Sequence, residues 1–315
     1  MAMQWMRRAW LLAAASAVLL SACGGGNTVT SRLSPNRVIA FGDAMADVGQ
    51  DGARYTVNDG SVNNWVQYVA GEYSQAIAPS SQGGLDYAWG NARVAATPDA
   101  GGVDSTPTVK QQIDQFLATH TIGSNDLVIV SAGTADVIKQ VRDSLDGKQT
   151  SDQAIANLDQ AGSDLADQVK RLVSAGAQHV VVSGPYDLGR SPWAIQLGSD
   201  ALLHSASSQF NNRLLVSLVN YGTTVLYVDA ALYFNQQTSS SSKVSNYTAP
   251  VCTRTDPGLG IGTGPGQLNS HLCSTGTLVP GADYNNFLFA DLVYPTPRGH
   301  TLFGDYAFGR IRDRW

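Results

Sequence analysis

The chain has 315 residues, with 20 Lys or Arg against 25 Asp or Glu, a formal net charge of −5. An acidic chain is a poor polyanion ligand, which argues against a nucleic-acid partner, and 43% hydrophobic content suffices for a large core, which excludes global disorder. Three cysteines are too few for a disulfide scaffold and form no zinc-type cluster, so neither a metal nor a cofactor is expected.

The N-terminus reads as an address. Arg7 and Arg8 precede an apolar run of 12 residues from Ala9 to Leu20. That run is too short to cross a bilayer, which takes about 20 helical residues. Leu20-Ser21-Ala22-Cys23 follows and resembles a bacterial lipobox. The resemblance implies that residues 1–22 are a signal peptide and that Cys23 is lipidated and becomes the new N-terminus. Gly24, rather than Asp, follows Cys23; by similarity to sorted lipoproteins this implies the outer membrane of a cell envelope. Cleavage removes two arginines and no acid, leaving a net charge of −7. Residues 23–35 are polar and read as a lipidated tether. Export implies an oxidising compartment, so the remaining Cys252 and Cys273 are expected to form a disulfide; the alternative is two free thiols. Closing that loop would remove about 3 kcal/mol of unfolded-state entropy.

Residues 36–315 read as one domain of alternating strands and helices. Residues 37–41 form an apolar strand. Val62, Trp65, Val66, Val69 and Tyr73 recur at helical spacing, as do Val109, Ile113, Phe116 and Leu117. Residues 127–130 form a second strand. A long amphipathic helix covers 151–175, opened by Ser151 and Asp152 and closed near Gly176. Strand 179–183, helix 202–219, strand 224–228 and helix 296–312 complete the series. Residues 236–283 read as an irregular insertion. Continuous apolar strands separated by helices predict a three-layer α/β/α fold around a parallel, flavodoxin-like sheet. Ligands of such sheets bind outside the carboxyl ends of the strands. That rule points to residues 42–47, 90, 131–136, 184–190 and 291–294.

Those segments resemble the SGNH/GDSL hydrolase family of lipases and esterases. Phe41-Gly42-Asp43-Ala44-Met45-Ala46-Asp47 stands where the family has F-G-D-S-x-S-D. Gly90 follows an aromatic and apolar run, and Gly133-Thr134-Ala135-Asp136 stands for G-x-N-D. Gly184 to Pro192 is similar to the family's P-x-D-L-G-x-x-P segment, and Phe210-Asn211 to its F-N helix. Phe289 to Thr296 stands for F-x-D-x-x-H-P-T. The resemblance implies serine hydrolysis of acyl esters, with a Ser nucleophile, a His base, an Asp that orients it, and an oxyanion hole. Carried over residue by residue, the nucleophile position is Ala44, the oxyanion Asn position is Ala135 and the His position is Tyr294. Asp291 and the oxyanion Gly90 are retained, with Asp43 and Gly133 beside them.

Alanine offers no nucleophile, and a phenol with a pKa near 10 is a poor base at neutral pH. Three readings follow: a degenerate member that binds a ligand or envelope partner, an ester hydrolase with displaced catalytic groups, and a structural envelope lipoprotein. Tyr294 is expected to donate a hydrogen bond to Asp291. Trp89 and Tyr294 could line a pocket suited to an acyl ester, a lipid or a glycan. Gly123-Ser124-Asn125-Asp126 matches G-x-N-D as a string but precedes a strand, so it reads as a turn. His300 reads as a helix-face histidine. Ser131 and Ser183 read as strand-end residues without a visible base. Restoring Ala44→Ser, Ala135→Asn and Tyr294→His together is expected to recover weak esterase activity.

Overall fold

The computed structural model describes residues 32–61, 64–198 and 200–315. The signal peptide, the lipidation site Cys23, most of the tether and Val62 lie outside the described residues.

Four strands form a parallel sheet in the order β1 (Val38–Gly42), β2 (Leu127–Ser131), β3 (His179–Ser183) and β4 (Val225–Tyr227). The register pairs Val38 with Leu127, Leu127 with His179, and Val180 with Val225. Every residue of β1 and β2 is buried, as expected of strands covered on both faces. A further segment lies along the free edge of β1. Ala40 N–H donates to Leu85 O (3.0 Å), Tyr87 N–H to Ala40 O (2.8 Å) and Trp89 N–H to Gly42 O (3.2 Å). Counting this extension, the spatial order of the chain's strand segments is second, first, third, fourth, fifth, the flavodoxin-like order.

The helices are α1 (Trp65–Glu72), α2 (Val109–Thr119), α3 (Thr134–Leu145), α4 (Ser151–Ser174), α5 (Pro192–Leu197), α6 (Asp200–Ser217), α7 (Ala230–Gln237) and α8 (Pro297–Arg314). On one face of the sheet α1 and α7 pack on α8; on the other, α4 packs against α2, α3 and α6. Capping boxes open α2 and α4: Thr108 pairs with Gln111, and Thr150 with Gln153. Each box satisfies two N–H groups that a helix start would otherwise orphan. The buried positions of α4, including Ala154, Leu158, Ala161, Leu165 and Leu172, recur every three or four residues and form its apolar stripe.

Three sequence expectations need correction. Helix α3 is not anticipated by the sequence beyond the rim segment 131–136 at its start; its apolar stripe is narrow, with Val137, Ile138 and Val141 facing inward. Residues 33–35, read as tether, are packed on the domain. Leu33 is buried, and Pro35 O accepts from Gln75 Nε2 at 3.1 Å. The stretch 236–283 is less irregular than expected, since α7 reaches Gln237 and β5 (Asn246–Pro250) runs parallel to β6 (Phe287–Phe289). Cys252 and Cys273 are joined as a disulfide, within a small apolar cluster of Val57, Val251 and Ala290.

Candidate functional site

The rim begins where β1 ends. Gly42 has φ 151°, and a Cβ there would lie 1.9 Å from Ser131 O, so only glycine lets the chain turn across β2. Asp43 N–H then donates to Ser131 O at 3.0 Å. The Asp43 carboxylate turns inward: Oδ1 accepts from Met45 N–H (3.0 Å), and Oδ2 from Thr134 N–H (2.9 Å) and Ala135 N–H (3.4 Å). It thereby caps α3, whose N-terminal boundary residue Gly133 has no side chain to do so. Burial pushes the Asp43 carboxyl up to about 7, against the opposing pull of those N–H donors.

Asp47 makes a second knot. Its Oδ1 accepts from Gly49 N–H (2.8 Å) and Gln50 N–H (2.9 Å), and its Oδ2 accepts from Gly90 N–H at 2.8 Å. Burial pushes its carboxyl up to about 6. Asp86, also fully buried, accepts from Val48 and Ala88 N–H groups. Asp136 is held by Arg93 (Nε–Oδ1 3.2 Å) and accepts from Val94 N–H at 2.9 Å. These carboxylates brace loops, and none of their bonds is to a Ser, Thr or His side chain.

The positions assigned to chemistry converge at this rim, but inside packed protein. Ala44, Ala135, Asp291 and Tyr294 are all at most 1% exposed. Asp291 Oδ1 accepts from the N–H groups of Val293 (2.8 Å) and Tyr294 (2.7 Å), and Oδ2 from Ser270 N–H (2.8 Å). Burial raises its carboxyl above the ordinary range, opposed by those donors. The expected bond from the Tyr294 phenol to Asp291 is not made. The main-chain N–H of Tyr294 occupies that carboxylate, and the phenol oxygen has no hydrogen-bond partner in the protein. Burial, reinforced by the nearby carboxylates of Asp43 and Asp291, holds the phenol neutral.

Gly90 is closed from both sides. Its N–H is given to Asp47, and the ring of Tyr55 lies against its Cα, so that a Cβ would fall 2.1 Å from the ring. The same ring meets Tyr294 edge-on, with centroids 5.4 Å apart. Tyr55 is the residue that the sequence did not single out; it lies between the first two motif blocks and carries no motif of its own. The aromatic pocket is not formed as expected. Trp65, Trp193, Tyr186 and Tyr294 belong to the core, and Trp89 is half-buried. The cavities described, including one of 340 Å³ beside Arg190, Ile195 and Tyr247, are lined by none of Ala44, Gly90, Ala135, Asp291 or Tyr294.

The remaining candidates have structural partners. Asp126 of the Gly123–Asp126 string pairs with Arg37 and accepts from Gly123 N–H, at the opposite end of the sheet. His300 is buried rather than on an open helix face. Its Nδ1 accepts from Trp65 N–H at 3.3 Å, and burial pushes its pKa down to about 3. Ser131 and Ser183 are buried. Two Asp–His pairs stand elsewhere, His271 with Asp51 and His204 with Asp187, at 2.8 and 2.9 Å. Among the described residues no hydroxyl or thiol is hydrogen-bonded to either ring. No group of His, Cys, Asp and Glu among the described residues could hold a metal ion.

The family model for GDSL-like Lipase/Acylhydrolase matches residues 38–307. Two curated proteins are each 26% identical to part of the chain. Lipase 1 of Photorhabdus luminescens aligns over 162 residues, 50% of this chain and 23% of that protein. An uncharacterized protein in the trpE-trpG intergenic region of Pseudomonas putida aligns over 155 residues, 49% of this chain and 25% of that protein. The matched stretch therefore spans about a quarter of either relative. A crystal structure of a lipolytic G-D-S-L family member from Veillonella parvula DSM 2008 is 13% identical with a TM-score of 0.42, covering 87% of this chain and 96% of that one.

Proposed function

Starting from the chain's membership of the GDSL-like lipase/acylhydrolase family, we propose that it is a non-hydrolysing member, anchored to the cell envelope by lipid on Cys23, which acts by binding rather than by ester cleavage. The observation that carries this reading is the state of Gly90: its N–H is bonded to Asp47 and its Cα is covered by the Tyr55 ring. An oxyanion hole needs donors aimed at the position of the developing charge, and this donor is aimed at a carboxylate. Ala44 and Tyr294 supply neither nucleophile nor base, which is consistent with the same reading. Fold alone does not carry a reaction, so membership does not offset these losses. The displaced-hydrolase alternative requires a second nucleophile–histidine–acid set; His271 and His204 have the acid but no hydroxyl, and His120, whose Nδ1 lies 2.8 Å from Thr119 Oγ1, has no carboxylate on its ring among the described residues.

The test is turnover of p-nitrophenyl butyrate by the purified protein. No hydrolysis above a heat-inactivated control is expected; sustained turnover that co-purifies with the protein overturns the proposal. The closed rim also alters what reversion should do. Ala44→Ser, Ala135→Asn and Tyr294→His together restore the side chains but leave Tyr55 on Gly90. No rate gain is therefore expected from the triple variant, since Asp47 also still holds the Gly90 N–H, and a gain would show that donor to be free.

A further inference from the structure

Because the sheet is parallel, the amino ends of its strands share one pole, opposite the rim. Three chain segments meet there. Trp315 O accepts from Arg32 N–H (2.7 Å) and Leu33 N–H (3.0 Å), so the incoming chain is clasped to the end of α8. The Trp315 ring meets His179, the first residue of β3, with centroids 5.0 Å apart. Arg314 donates to Gly222 O, in the turn that follows α6 and precedes β4. Beside that turn, Val216 and Val219 stand on the last turn of α6 and just beyond it, 66% and 74% exposed. Arg32 at the incoming chain and Arg310, Arg312 and Arg314 on the last turns of α8 are exposed at the same pole, with Asp313 between the last two.

We infer that this pole is a lipid-docking surface, on which Val216 and Val219 enter the headgroup region of the anchoring membrane while the arginines face anionic headgroups. The inference rests on the lipid anchor proposed at Cys23. Eight residues separate Cys23 from Arg32, and the nine Cα-to-Cα steps between them reach at most about 30 Å. The anchor thus keeps this pole, and not the rim, next to the bilayer. Charge selects the same orientation. The described domain and tether carry −7 overall, so most of the surface is repelled by an anionic leaflet, whereas each arginine near such a surface contributes about 1 kcal/mol, or roughly fivefold. Exposed valines without that setting would be ordinary; next to an anchored chain end they supply apolar contact. The former catalytic rim then points away from the lipid.

The lipidated protein is reconstituted in vesicles of phosphatidylethanolamine and phosphatidylglycerol and given a polarity-sensitive thiol dye. With Cys252 and Cys273 joined and Cys23 lipidated, a single introduced cysteine is the labelling site. Val219→Cys reports the pole and Leu272→Cys, 42% exposed at the rim, reports the opposite end. Blue-shifted emission at position 219 and not at 272 is expected. Arg310→Gln with Arg312→Gln should lower the docking equilibrium constant roughly 25-fold at low salt. Equal emission at the two positions overturns the docking surface while leaving the anchor intact. A shift that grows with protein concentration in the absence of vesicles assigns the pole to a second copy and overturns it too. Dye uptake by Cys23 in protein without an introduced cysteine marks failure of the anchor itself, and removes the docking surface with it.

Discussion

At the carboxyl rim, Asp43, Asp47, Asp86 and Asp291 are buried, and each carboxylate accepts two or three main-chain N–H groups. At the amino pole, four arginines and two valines are turned to solvent, with few partners among them. In this protein the end of the sheet where α/β folds usually receive ligands is filled, and the end that usually serves only to close the fold exposes cationic and apolar side chains together. A position of a family motif can therefore serve as scaffold. Asp43 and Asp291 each hold three main-chain donors, a structural role independent of catalysis.

The largest effect should come from Asp43 and pH. Its carboxyl is pushed from an unfolded value of 3.8 up to about 7. Between those values the folded protein holds a proton that the unfolded chain has released, so stability falls as pH rises from about 4 to about 7 and is level above. Three pKa units correspond to roughly 4 kcal/mol. His300 works in the opposite sense. Its pKa is lowered from 6.5 to about 3, so its contribution is lost as pH falls through that window. Comparing the native chain with Asp43→Asn cancels the histidine, since both carry it. The stability gap measured by urea unfolding should shrink by roughly 4 kcal/mol from pH 4 to pH 8; a constant gap would place Asp43 at an ordinary carboxylate pKa.

Next in size is Asp291→Ala. It leaves the N–H groups of Ser270, Val293 and Tyr294 without their acceptor, at about 1–3 kcal/mol for each buried group. A total loss of about 3 kcal/mol or more is expected in the unfolding free energy; a loss below about 1 kcal/mol would mean that water reaches the loop. Gly90→Ala comes third, at about 2 kcal/mol, because its Cβ overlaps the Tyr55 ring. Tyr55→Ala in the same chain should erase that penalty, and strict additivity of the two changes would separate the ring from Gly90. The smallest effect belongs to the pole. Val219→Ser and Arg310→Glu should change stability by no more than about 0.5 kcal/mol, as surface substitutions do. A larger loss would make the pole structural and erase its contrast with the rim.

The parallel sheet was legible because β1, β2 and β3 are nearly continuous apolar runs and the covering helices keep their three-to-four spacing. Asp291 and Gly90 were legible as positions, since motif order located them. What each one touches was not. The bond from Gly90 N–H to Asp47 joins residues 43 apart in sequence, and a string carries no distance. Tyr55 lies in a segment without periodicity, so nothing marked it as the cover of the site. The strand-like segment 85–89 is a short aromatic and apolar run interrupted by Asp86, and its place beside β1 rests on three edge bonds. Tyr294 was misread for a plainer reason: its main chain, turned back by the bond from Ala290 N–H to Tyr294 O, reaches Asp291 before its side chain can.

The clasp between residues 32–33 and Trp315 also sets a load path. Any pull transmitted along the chain toward Arg32 arrives first at two hydrogen bonds on one carbonyl, and through them at the end of α8. That helix lies along α1, so the force is shared with a long lateral contact before it reaches β1. Strand β1 is thus sheltered from being peeled off the sheet, and the domain should yield under tension by slipping its terminal clasp while its sheet stays whole.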